Sequence, residues 1–159
     1  MKKLLSIAIL MMVFCLITSV AWSAPRKVTK VSEYLTAVDI EKISSLKGVK
    51  LIAKDPSIGA GGDLNFATSE KKMIVMIQVV AKSYYNSYKE MYYKAEVKAL
   101  GDQAIECATI PKSASNMVVF AKGTQCIALT AFANPKDFSK NMLTVEQLIK
   151  LAKIIDSRI

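Results

Sequence analysis

Residues 73 to 80 read Met-Ile-Val-Met-Ile-Gln-Val-Val, apolar at every position except Gln78. Side chains along a strand point alternately to its two faces, so a strand of this composition needs cover on both. Met117-Val118-Val119-Phe120 and Ile127-Ala128-Leu129 make the same demand. The chain must therefore enclose its sheet, either between helices or within a closed core. This predicts an α+β fold: a mainly antiparallel sheet with helices on both faces, an α/β/α sandwich.

The helices that would supply this cover are marked by their ends. Thr36 caps a first helix while Asp39 reaches back from the third helical position, and Ala37, Ile40, Ile43 and Leu46 form an apolar stripe that Gly48 ends. Val49 to Lys54 alternates, with Val49, Leu51 and Ala53 on one side and Lys50 and Lys54 on the other, as in a half-exposed strand. Asp63 to Thr68 is the next strand. Lys82 to Lys98 reads as a second helix, broken by Leu100-Gly101-Asp102. Strands follow at 104–109, 117–122 and 126–132, and Asn134-Pro135 ends the last of them. Thr144 and Gln147 form a second capping box ahead of a final helix with Val145, Leu148, Leu151, Ala152 and Ile155 on one side. Gly62-Asp63 and Gly101-Asp102 stand at comparable places in the two halves, which points to a duplicated strand-rich unit.

Ahead of this domain come Lys2 and Lys3, an apolar run from Leu4 to Ile17, and Thr18-Ser19-Val20-Ala21-Trp22-Ser23. That is the order of a secretory signal peptide, with Ala21 and Ser23 placing the cut before Ala24. An uncleaved anchor is the rival, because Leu4 to Trp22 approaches the roughly 20 residues that span a bilayer. The interruption at Thr18 and Ser19 favours cleavage. Lipid attachment at Cys15 is disfavoured, since Phe14 stands where a small residue belongs. The chain thus divides into a signal peptide at 1–23, a basic lead at 24–35 and a single α+β domain at 36–159, in a periplasmic or secreted protein. Removing Lys2 and Lys3 lowers the formal charge from +9 to +7. The lysines are scattered from Lys27 to Lys153 without a block. They make a solvated basic surface, suited to weak association with anionic surfaces rather than to nucleic acid.

The chain has no histidine, which removes the usual general base of hydrolytic triads and the usual ligand of catalytic zinc. A carboxylate pair such as Asp102 with Glu106 is conceivable, but 13 acids are no enrichment and such pairs are usually surface charge. Gly59-Ala60-Gly61-Gly62 lacks the lysine-serine pair of a phosphate loop and reads as backbone relief in a hairpin or bulge. Cys107 and Cys126 do not form a redox Cys-x-x-Cys motif, although export permits a disulfide between them. In an up-and-down meander an intervening strand would hold them roughly 10 Å apart, beyond the roughly 7 Å that a bridge tolerates. Free buried thiols and a bridged pair in another strand order both stay open. Tyr84, Tyr88 and Tyr92 recur every four residues, with Tyr85 and Met91 beside them. Such a stripe either lines a groove for a ligand or partner or packs its helix on the sheet.

Four segments carry a resemblance. Tyr34-Leu35-Thr36-Ala37-Val38-Asp39-Ile40-Glu41, Leu100-Gly101-Asp102-Gln103-Ala104, Val119-Phe120-Ala121-Lys122-Gly123 and the Leu151-Ala152 of the last helix resemble small exported bacterial proteins of unknown function. These include the mycobacterial-type lipoproteins grouped as DUF3558 and related delta-proteobacterial secreted proteins. The resemblance implies a Mog1/PsbP-like fold and supplies no catalytic, cofactor or metal residue. The lipid-bearing cysteine of the lipoprotein members has no counterpart here, so tethering is not implied. The expectation is an exported, non-catalytic binding or accessory module without a cofactor, whose partner is an envelope protein or a small apolar ligand. The alternatives are a structural envelope protein held to anionic surfaces by its charge, and a histidine-free hydrolase.

Overall fold

The computed structural model describes residues 30–53, 62–70, 72–108 and 115–159. The expected signal peptide, the lead segment as far as residue 29, the glycines at 59–61 and the segment 109–114 lie outside the described residues. The architecture is α+β. Among the described residues helices α1 (Ala37–Ser44), α2 (Tyr84–Tyr92) and α3 (Val145–Arg158) accompany nine strands. These are β1 (Lys50–Ile52), β2 (Leu64–Ala67), β3 (Met73–Ala81), β4 (Tyr93–Glu96), β5 (Gln103–Cys107), β6 (Met117–Lys122), β7 (Gln125–Ala131), β8 (Ala133–Asn134) and β9 (Asp137–Asn141). The first seven form one antiparallel sheet in the order β1-β2-β3-β7-β6-β5-β4, and β8 and β9 pair as a separate hairpin. Among the described residues no helix is long and apolar enough to cross a membrane.

The apolar runs become the centre of the sheet. Met117 to Ala121 and Cys126 to Leu129 are buried without interruption, whereas β3 is buried at Met73 to Val75 and at Ile77 and loosens from Gln78 onward. Strand alternation divides these residues between two clusters on opposite faces. Val118, Phe120, Ile127 and Leu129 join the larger cluster, with Ile40 of α1 and Leu148, Leu151 and Ile155 of α3. Val119, Ala121, Cys126 and Ala128 join a smaller cluster with Tyr85 of α2.

Both capping boxes are present, Thr36 with Asp39 and Thr144 with Gln147. Other local expectations are overruled by pairing. The helix expected to run to Lys98 ends at Tyr92, because residues 93–96 hydrogen-bond to β5 as an edge strand. Helix α1 stops at Ser44, where Ser45 takes the left-handed cap conformation, three residues short of Gly48. Val49 beside β1 is buried but Leu51 within it is exposed, and among the described residues β1 pairs with β2 alone. Asn134-Pro135, expected to end the last strand, instead lies at the turn of a further hairpin, β8–β9. Tyr34 and Leu35, the last residues of the expected lead, are core residues, so the packed body begins ahead of Thr36.

The two Gly-Asp pairs do the same work. The Asp63 N–H donates to the Ile77 carbonyl at 2.8 Å, and its carboxylate accepts from the Val79 N–H at 2.7 Å. The Asp102 N–H donates to the Ala121 carbonyl at 2.8 Å, and its carboxylate accepts from the Gly123 N–H at 3.1 Å. In each case the aspartate bonds residues n and n+2 across from it, Ile77 and Val79 within β3 and Ala121 of β6 with Gly123 of the turn that follows. Each preceding glycine lies where a Cβ would strike that strand: 2.7 Å from the Ile77 carbonyl oxygen for Gly62, and against the Ala121 carbonyl for Gly101. The units α1-β1-β2-β3 and α2-β4-β5-β6 thus repeat one strand order and direction on the two sides of β7, with Ile77 and Ala121 in equivalent places but in different clusters. Helices α1 and α2 accordingly contribute to different clusters.

Candidate functional site

Of the three tyrosines expected to form one stripe, the structure spreads Tyr84, Tyr88 and Tyr92 across a gradient of burial. Tyr84 is 57% exposed, while Tyr88 and Tyr92 are partly buried against the smaller cluster. The residue that anchors α2 is Tyr85, 3% exposed, which packs into the cluster holding Ile105, Cys107 and Cys126. The period of four picked out the stripe but not its depth, because the short helix rests on the sheet along the line of Tyr85 and Tyr88. The rings of Tyr88 and Tyr92 are tilted at 44° with centroids 6.3 Å apart, within the range of favourable aromatic pairs. Burial, with smaller contributions from the neighbouring thiols, raises the pKa of the Tyr85 and Tyr88 hydroxyls.

The outer surface of α2 and the adjoining β4 is apolar. Six large hydrophobic side chains are exposed among the described residues, and three of them, Tyr84, Met91 and Tyr93, belong to this short stretch. Tyr84, Tyr88 and Met91 follow at spacings of four and three, one line along the helix. Sequence reading missed Tyr93 because it counted that residue as helical, and only the pairing of β4 with β5 brings its side chain to the sheet edge. A recess of about 200 Å³ opens beside it, lined by Tyr85, Lys89, Tyr93, Glu96, Gln103 and Ile105. Since β4 ends the sheet, its outer backbone edge has no strand neighbour among the described residues.

The cysteines lie beneath α2. Cys107 pairs in register with Met117 and Cys126 with Ala121, so β6 stands between them, and both are free and buried. Burial pushes the Cys107 thiol up to about 12, helped by Cys126 and Glu106, and burial alone pushes Cys126 up to about 11. Protonated, buried thiols of this kind are poor nucleophiles at neutral pH. Asp102 and Glu106 do not act as a pair. Asp102 binds Lys82 at 2.8 Å and Glu106 binds Lys94, so each carboxylate is matched by its own lysine. No cluster of three or more Cys, Asp or Glu side chains is gathered at metal-binding distance among the described residues.

No protein-family model, curated protein or solved structure matches this chain.

Proposed function

We propose that the protein is an exported, non-catalytic binding module that docks a segment of an envelope protein on α2 and the outer edge of β4. The observation that carries this reading is the concentration of exposed Tyr84, Met91 and Tyr93 on one short helix and its adjoining edge strand. Aromatic and methionine side chains are enriched at interface centres, and an open strand edge offers backbone hydrogen bonds to an extended segment. The adjacent recess is smaller than the roughly 300–1,000 Å³ of ordinary small-molecule pockets, which favours a polypeptide over an apolar ligand. The reading includes helical cover on both faces of a Mog1/PsbP-like sheet, supported by the separate clusters that receive α1 and α2. It also includes cleavage before Ala24, supported by the leader composition, and mass analysis finding Met1 retained in the native envelope protein would overturn that part.

The docking surface is tested with a photocrosslinking residue placed at 84 or 93, and at 153 on α3 as control. The expected outcome is one discrete partner trapped at 84 and 93 but not at 153, and lost from the Tyr84→Ala/Met91→Ala/Tyr93→Ala variant. Equal trapping at all three positions, or an unchanged partner yield from that variant, would show that this face is not the docking site.

A further inference from the structure

At the end of β3 remote from α2, three separate loops meet around a cleft of about 280 Å³. The connection from α1 to β1 supplies Lys47, the β2–β3 turn supplies Thr68, Ser69 and Lys72, and the β8–β9 turn supplies Asn134 and Lys136. Each loop is closed by a hydrogen bond of its own at 2.9 Å. The Val49 N–H donates to Glu41, the Thr68 N–H to the Lys72 carbonyl, and the Lys136 N–H to the Asn134 side chain. The backbones that carry the three ammonium groups are therefore set before any ligand arrives.

Their charge is largely uncompensated. Glu70 is the one carboxylate in the lining and pairs with Lys72, whereas Lys47 and Lys136 make no ion pair among the described residues. Three lysines against one glutamate leave a net charge of +2 in a concave site, where the field is focused. The hydroxyls of Thr68 and Ser69 and the Asn134 amide add neutral donors beside the ammonium groups.

We propose that this cleft binds a phosphate monoester. Such a group carries about −1.5 to −2 at neutral pH and three terminal oxygens that accept charge-assisted hydrogen bonds, matching both the excess charge and the three-sided approach of the lysines. The cleft volume lies just under the roughly 300 Å³ lower bound of ordinary ligand pockets, which suits a head-group-sized molecule. This site is separate from the α2 face and does not depend on the function proposed for it.

The test titrates the isotope-labelled full-length protein with inorganic phosphate and with glycerol 3-phosphate, following backbone amide shifts. A second arm measures sedimentation with phosphatidylcholine vesicles with and without phosphatidic acid. Saturable shifts confined to the three loops, weakened at least about tenfold in Lys47→Glu/Lys136→Glu and less than about twofold in Lys150→Glu/Lys153→Glu, support the site. Both lysines of the first variant are exposed and make no ion pair among the described residues, so its melting midpoint should match the parent's. Vesicle binding that needs phosphatidic acid, is lost in the same variant and is displaced by glycerol 3-phosphate assigns the phosphate to a lipid head group. Binding of the soluble esters without vesicle binding assigns it to a free metabolite. Absence of saturable shifts, or equal weakening by both charge reversals, overturns the proposal in favour of diffuse attraction.

Discussion

Helix α1 packs against α3, which itself lies on β6 and β7, whereas α2 packs on the strands with no comparable helix contact among the described residues. Helix α1 has a complete capping box, and Arg158 at the end of α3 grips Asp39 through two hydrogen bonds of 2.8 and 3.0 Å while also bonding the Tyr34 carbonyl. Helix α2 has no side-chain cap and an outer surface of exposed apolar side chains. The strand frames of the two halves are equivalent down to their Gly-Asp pairs, so the difference comes from the element added after the repeat. One helix seat became part of the core. The other kept a surface available for recognition.

The comparison is broken most directly through α3. Leu151 is fully buried, and Leu151→Ala should destabilise the domain by about 2–5 kcal/mol in chemical denaturation. An unchanged midpoint would detach α3 from the core and remove the asymmetry between the halves.

The Gly-Asp pairs come next. Gly101 has φ +56°, so Gly101→Ala imposes both a left-handed backbone on an L-residue and a clash with the Ala121 carbonyl, together about 2–4 kcal/mol. At Gly62 there is no positive-φ strain, and the closest obstacle includes the flexible Met76 side chain, so Gly62→Ala should cost less, about 1–3 kcal/mol. Melting curves showing the reverse order would mean that the two pairs are not equivalent.

A pH profile separates the halves by the sign of their linkage. Burial raises the Asp39 pKa, but hydrogen bonds from Arg158 and Thr36 outweigh it and hold the carboxyl below its ordinary value of 3.8. A folded pKa below the unfolded one gives stability that is present above the unfolded value and lost as pH falls through the folded one. Asp39→Asn should therefore cost about 1–3 kcal/mol at neutral pH and flatten the loss seen below about pH 4. In the second half the shifts run the other way. Cys107 at about 12 and Cys126 at about 11 lie above their ordinary 9.0, so their contribution is complete below the unfolded value and is lost as pH rises beyond about 9. Replacing both with alanine should flatten the alkaline limb and leave the acid limb unchanged. An identical alkaline limb would show that the thiols are not held in the closed space beneath α2.

The smallest expected change is on the exposed face itself. Tyr84→Ala combined with Met91→Ala should move stability by less than about 0.5 kcal/mol, because both side chains are more than half exposed. A larger loss in thermal melting would make this face structural and would count against its role in docking.

What was legible locally was correct where the determinants are near neighbours in the chain. The capping boxes at Thr36/Asp39 and Thr144/Gln147, the stripe of α3 and the buried runs of β6 and β7 are all written within a few residues, and the same interactions form in the structure. The paired Gly-Asp turns were visible for the same reason, although their equivalence rests on hydrogen bonds to residues 14 to 21 positions further on. Tyrosine periodicity marked the candidate face but named Tyr84, Tyr88 and Tyr92 as equals, since a helical period says nothing about how deep a short helix sits on its sheet. Lys47, Lys72 and Lys136 looked scattered because 25 and 64 positions separate successive members.

By itself, then, the amino-acid order determined the elements, their caps and the need to enclose a central sheet, because hydrophobic period and capping chemistry act over one or two turns of chain. Only the tertiary structure decided that residues 93–96 leave the helix to become an edge strand, that Tyr85 is the anchor of α2, and that three distant lysines share one cleft. Each of those outcomes depends on which segments meet across the sheet or at its end. Pairing partners from opposite parts of the chain, rather than local propensity, supply the free energy that selects them.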